Sequence, residues 1–330
     1  MLRARPLVIG HRGAPGYRPE HTRSSYELAL AMGVDAVEPD VVFTKDAVAV
    51  VRHENEISGT TDVADRPEFA DRRTTKPVDG VPQTGWFTED FTWAELSTLR
   101  CRERLPHLRP GSAAFDDTEP PLRLRDLLDL VATASRQQGR DIGIVLEIKH
   151  ATSFGTLGFA VADLIAAELR AAGWAEGARS LFVESFELAV LRELRGRGIP
   201  ATYVYLVEAD GAPFDLVAAH GAAATPCRDQ VSPAGLARLA REVDGISIDK
   251  AMLLSSALRG AELVADAHAE GLAVFTWTCR PENAFLTPAF RRGDDDAAFG
   301  DYAAEWGVIR DAGLDGVFVD HADLGVAFFR

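Results

Sequence analysis

Apolar runs of strand length recur eight times along this 330-residue chain, with helix-length segments between them. The runs are 7–10 (LVIG), 36–43 (AVEPDVVF), 142–148 (IGIVLEI), 180–185 (SLFVES), 202–207 (TYVYLV), 245–249 (GISID), 272–278 (LAVFTWT) and 315–320 (DGVFVD). Helical spacing marks 24–32, 123–138, 156–172, 187–196, 233–243, 256–270 and 302–312. The first of these has a capping box, Ser24 with Glu27, and a stop at Gly33. The third places Leu157, Val161, Leu164, Ile165 and Leu169 on one face. Near-continuous apolar strands are buried on both sides, as in a parallel sheet covered by helices. Eight repeats favour closure over an open sheet, so the expectation is α/β: one (β/α)₈ TIM barrel spanning residues 1–330.

One segment breaks the alternation. Residues 54–121 carry many turn formers and charges, with only short apolar clusters such as Trp86, Phe87 and Phe91. So long an insertion in a compact domain is functional or disordered. It is read as a cap over one barrel mouth, in preference to a flexible linker, with Trp86, Trp93 and Phe91 either lining the entrance or stabilising the cap. A second irregular stretch, 280–301, holds the acidic run Asp294, Asp295 and Asp296, expected to be a solvated loop.

Charge narrows the partners. A net charge of −15 argues against nucleic acid, whose phosphates call for a basic face. A small anion remains possible where local cations or a metal reverse the field. The three cysteines, Cys101, Cys227 and Cys279, are scattered and suggest neither a zinc site nor a disulfide framework. The N-terminal MLRARPLVIGHRG is too briefly apolar for a signal peptide, and no stretch approaches a membrane span. The chain as given therefore reads as cytoplasmic; a removed leader would instead make it periplasmic or secreted.

The first strand leads into "HRGAPGYRPEHT", which places His11, Arg12, Glu20 and His21 on a loop stiffened by Pro15 and Pro19. A turn needs glycine, proline or short polar residues, not imidazole beside guanidinium. Downstream, VEPDVVFTKDAVAVVRHE contains a two-residue hairpin signal at Lys45-Asp46. In that register Phe43 faces Val48 and Glu38 faces His53, with Asp40 on the same face as Glu38. A one-residue slip would undo the pairing. Glu147 ends another strand, one residue before Lys149. Acids inside strands are costly unless paired or bound to metal. Three of them at strand C-terminal ends, with no cysteine near, point to a hard cation, Ca²⁺ or Mg²⁺, rather than to separate ion pairs with Arg12 or Lys149.

These motifs resemble the glycerophosphodiester phosphodiesterases, in the longer bacterial, periplasmic-type form. The resemblance runs through PEHT, TDVADR, EIK at 147–149, SF at 185–186, TW at 276–277 and the terminal GVFVD. It implies a barrel with an inserted cap that hydrolyses glycerophosphodiesters to sn-glycerol 3-phosphate and an alcohol. By motif, His11 and His53 are the general acid and base, and Glu38, Asp40 and Glu147 hold one divalent cation. Arg12 and Lys149 take the phosphate, Trp277 is a platform for the glycerol in preference to a barrel-core aromatic, and Phe186 either contacts the substrate or belongs to the core. The family usually has Asp after the second histidine, where this chain has Glu54. A lysophospholipase D-like or phospholipase D-like activity on larger lipids is the alternative within enzymes, and a silent phosphate-ester-binding barrel the alternative outside them.

The remaining polar residues are expected to play structural parts. Glu20 and His21 orient the first loop. His107, His150, His220, His268 and His321 are surface or locally bonded, and Asp320 either touches substrate or caps the following turn.

Overall fold

A computed structural model describes residues 5–330, apart from the side chains of residues 257 and 258. The first four residues of the basic N-terminal stretch lie outside it. The strands are, in chain order, β1 (Leu7–His11), β2 (Ala36–Glu38), β3 (Asp40–Phe43), β4 (Ala49–Val51), β5 (Thr74–Val78), β6 (Val81–Gly85) and β7 (Leu122–Arg123). They continue with β8 (Gly143–Ile148), β9 (Leu181–Ser185), β10 (Thr202–Val207), β11 (Gly245–Asp249), β12 (Ala273–Cys279) and β13 (Gly316–Val319).

Strand β1 pairs with β13 on one side and β2 on the other, and β2 pairs with β8, which leads through β9, β10, β11 and β12 back to β13. The ring is closed and parallel, with helices between its strands. It is the (β/α)₈ barrel that the alternating runs predict.

One position in the ring is split. Pro39 lacks the N–H a ladder requires, so the chain divides there into β2 and β3. His11 stands in register with Glu38, and beyond the proline Asp40 stands in register with Glu147.

Inside the barrel, Ile9, Ala36, Val145, Phe182, Val204, Phe275 and Phe318 form their own apolar cluster, with Phe182 and Phe275 edge to face at 5.9 Å. Full burial of such side chains is worth roughly 1.5–3 kcal/mol each. A larger cluster fills the space between strands and helices.

Three local expectations need correcting. The β3–β4 hairpin pairs Phe43 with Ala49, one residue off the two-residue register. Lys45-Asp46 lacks the glycine or asparagine that such a turn wants. The chain instead makes a wider connection in which Ala47 (φ 60) donates to the Thr44 carbonyl and Asp46 accepts from Thr44 Oγ1. The ladder ends at Val51, so His53 lies on the loop beyond it rather than opposite Glu38.

The first helix, Arg23–Met32, is capped by Thr22, whose hydroxyl accepts from the Ser25 N–H; the Ser24 hydroxyl bonds Glu119 instead. Its end at Gly33, with φ 91, is as expected. The third helix begins only at Val161, because Gly158 (φ 92) breaks the run and leaves Leu157 exposed.

Residues 54–121 fold into the β5–β6 hairpin, several short helical turns and two four-residue helices, Trp93–Leu96 and Pro110–Ala113. Phe69 and Phe91 pack edge to face at 5.0 Å, and Trp86 Nε1 donates to the Phe69 carbonyl. Trp86 and Phe91 are buried in the insertion's own core, so they stabilise it rather than line an entrance. Asp294, Asp295 and Asp296 are exposed.

Candidate active site

Two residues beyond the apolar cluster, the same strands become polar. His11 follows Ile9 on β1, Glu38 follows Ala36 on β2, Glu147 follows Val145 on β8, and Glu184 follows Phe182 on β9. Alternation sends residues i and i+2 to the same side, so all four point into the barrel. They line a cavity of about 710 Å³ at the strands' C-terminal ends. Arg12, His53, Lys149, Phe186 and Trp277 line it as well.

Backbone strain helps to aim the first loop. Arg12 (φ 55) and His21 (φ 60) are both left-handed, and the His21 N–H donates to the Arg12 carbonyl at 3.1 Å. Such residues cost of order 1–3 kcal/mol each and persist only where the surroundings over-determine them. Here the Arg12 N–H donates to Glu38 Oε2 at 2.8 Å, and the guanidinium reaches Glu20 at 3.0 Å and Asp40 at 3.2 Å. His21 bridges the Tyr26 hydroxyl and Asp40, so Glu20 and His21 support the loop from behind.

The two cavity histidines are built alike. His11 Nδ1 lies 2.6 Å from Asp320 Oδ1, and His53 Nδ1 lies 2.6 Å from Glu54 Oε1. Burial opposes ionisation of Asp320, but Arg280 and Arg109 hold it well below the usual carboxylate range. Each Nδ1 therefore carries the proton and donates it to a carboxylate, which leaves Nε2 as the acceptor. Lys149 Nζ stands 3.3 Å from His53 Nε2. Burial lowers His11 to about 4, assisted by Arg12, and lowers His53 to about 3, assisted by Arg12 and Lys149. Burial thus favours the neutral form of both imidazoles, with Nε2 left without a proton.

The acids form the third component. Glu38, Glu147 and Glu184 each offer an oxygen, all within 4.8 Å of one another. Burial pushes Glu38 and Glu184 well above the carboxylate range and Glu147 up to about 8, with neighbouring acids adding to the shift. Glu38 Oε1, Glu184 Oε2 and Asp40 Oδ1 are buried without a hydrogen-bond partner. Unpartnered carboxyl oxygens grouped in this way fit a hard divalent cation.

Of the proposed ligands, Glu38 and Glu147 are thus brought together, while Asp40 lies beside Glu147 and spends Oδ2 on Arg12 and His21. Lys149 is paired to Glu147 at 2.8 Å. Trp277 meets Phe186 edge to face at 5.6 Å on the cavity wall.

Glu184 escaped the sequence reading although the argument applied to Glu147 fits it equally: an acid inside an apolar strand. Asp320 was noticed without its partner, because His11 lies 309 residues away.

Comparison with known proteins now decides the family. The sequence profile of the Glycerophosphoryl diester phosphodiesterase family matches residues 11–324. The chain belongs to that family. A glycerophosphodiester phosphodiesterase of Arabidopsis thaliana is 28% identical over 96% of this chain and 84% of its own length. One from Treponema pallidum is 26% identical over 98% of this chain and 91% of its own. Among solved structures, a phosphodiesterase of Oleispira antarctica in complex with the product sn-glycerol-3-phosphate superposes with a TM-score of 0.65. It covers 98% of this chain and 96% of its own, at 20% identity. This family member is accordingly an enzyme of the phosphodiester hydrolase class. No helix among its described residues is long and apolar enough to cross a membrane.

Proposed function

We propose that the protein hydrolyses glycerophosphodiesters to sn-glycerol 3-phosphate and an alcohol, using His11 and His53 as the acid–base pair and one divalent cation, Ca²⁺ or Mg²⁺. The observation that supports this most directly is the convergence of two Nδ1-anchored imidazoles and three grouped carboxylates on one cavity. The product complex of the Oleispira antarctica neighbour supports the same substrate class.

Glu38 and Glu147 would hold the cation together with Glu184, and Asp40 offers a further oxygen beside Glu147. Bound there, the cation would neutralise charge gathering on the phosphate oxygens. Arg12 and Lys149 add fixed positive charge at the same wall. One imidazole Nε2 takes the proton of the nucleophile, either water or the substrate's own glycerol hydroxyl, whose cyclic phosphate product is then opened by water. The other, protonated beside the anionic phosphate, gives its proton to the departing alkoxide. Trp277 and Phe186, set edge to face, supply an apolar corner for the glycerol carbons.

The cavity is also lined by the apolar side chains of Leu206, Pro213, Phe214 and Val217, which favours a lysophospholipid as the second substrate class to test. The deciding assay offers a panel of glycerophosphodiesters and a lysophospholipid, with and without chelator, and measures glycerol 3-phosphate released from the former and lysophosphatidic acid released from the latter. Chelator-sensitive release is expected; no release from any panel member removes the reading.

A further inference from the structure

The carboxylates behind the two histidines are both gripped by one short piece of the insertion. Arg104 Nη1 and Nη2 reach Glu54 Oε1 and Oε2 at 2.6 Å each, and Glu54 holds His53. Arg109 Nη2 reaches Asp320 Oδ2 at 2.6 Å, and Asp320 holds His11. Arg104 Nε also bonds Glu20 at 2.8 Å, the carboxylate that pairs with Arg12.

The piece is itself stiff. The Leu108 and Arg109 N–H groups both donate to the Leu105 carbonyl at 2.9 Å. Glu103 accepts from the Leu105 N–H at 2.8 Å and from Ser112 Oγ at 2.5 Å. Arg109 is fastened further by Glu282 at 2.8 Å.

We propose that residues 104–109 form a positioning clamp, in which Arg104 acts through Glu54 on His53 and Arg109 acts through Asp320 on His11. Arg104 forks both oxygens of Glu54, whereas Arg109 holds one oxygen of Asp320 and leaves the other to His11; each cation keeps its carboxylate ionised. A carboxylate so fixed holds an imidazole in one tautomer and one plane, as the acid of a hydrolase triad does. The insertion therefore belongs to the chemistry and is more than a cover. The arms are unequal: Asp320 has a second cation, Arg280 Nε at 2.7 Å, whereas Arg104 is the cation paired with Glu54 among the described residues.

The proposal rests on the phosphodiesterase reading, and its test separates the two. R104A and R109A are made in the full chain and assayed with glycerophosphoethanolamine, while ¹⁵N NMR of the histidine side chains reports their tautomers. R104A should lower kcat about 10–100-fold, as misplacement of a reacting group does, with KM changed little. R109A should lower it less. Guanidinium ion in solution should restore part of the R104A loss and none of an H53A loss. The His53 tautomer signal should broaden or shift in R104A with His11 unaffected, and the reverse should hold in R109A. Folded R104A and R109A with wild-type kcat and wild-type tautomer signals would overturn the clamp. Should either variant fail to fold, R104K and R109K keep the charge without the planar guanidinium geometry, and wild-type kcat and tautomers in both would overturn it equally. A wild-type protein that turns over no glycerophosphodiester would refute the functional reading, and the NMR measurement would still decide the clamp.

Discussion

Two layers of side chains, two residues apart on the same strands, have opposite chemistry. The lower layer, with Ile9, Val145, Phe182 and Phe275, is apolar and packed. The upper layer, with His11, Glu147, Glu184 and Trp277, faces the cavity. Backbone, twist and direction are shared, so the difference lies in the side chains alone. One layer contributes to stability; the other holds acids whose shared burial works against it, a cost that the proposed cation would offset.

The contrast can be broken most completely by withholding the proposed cation. Excess chelator should abolish turnover, and Ca²⁺ or Mg²⁺ should restore it and raise Tm, with a gain near 2.7 kcal/mol at a hundred times Kd. Activity unchanged in chelator, followed alongside Tm, would end the metal assignment.

Next in size, alanine at His11 or His53 should cut kcat by about 10²–10⁴-fold while Tm stays near wild type, because an upper-layer imidazole is needed for proton transfer and not for packing. Steady-state kinetics and calorimetry together check this.

Alanine at Phe182 should do the reverse. It should cost about 3–5 kcal/mol of stability in denaturant unfolding while the folded fraction keeps most of its kcat.

The smallest effect sharpens the comparison within the acids. Glu147 rises from the ordinary 4.5 to about 8 on folding, so without a cation the folded chain binds more protons than the unfolded one across that interval. The stability it contributes is present below about 4.5 and is lost as pH rises toward 8. Glu184→Gln should flatten this decline, stabilise the chelated protein by about 1–2 kcal/mol and weaken cation binding by titration calorimetry. A variant with unaltered cation affinity would remove Glu184 from the donor set.

How much of this the sequence displays depends on distance along the chain. The strands are legible because a doubly buried strand must be apolar throughout, and His11, Glu38 and Glu147 stand out as exceptions to that rule. Glu184 obeys the same logic but sits in LFVES without a basic neighbour to draw notice. The hairpin register failed because turn geometry was inferred from a pair that does not enforce it. The first helix took its cap two residues earlier, because Thr22 reached the Ser25 N–H and Glu119 claimed Ser24. The partners of Arg104 and Arg109 lie 50 and 211 residues away, and no local pattern announces a contact of that kind.

Pro39 has a consequence of its own. The register against β8 runs through it unchanged, from Val37 opposite Ile144 to Asp40 opposite Glu147, although the missing N–H interrupts the strand. On the other side β1 ends with His11 opposite Glu38. The wall thus acquires a seam at which the charges of three strands meet.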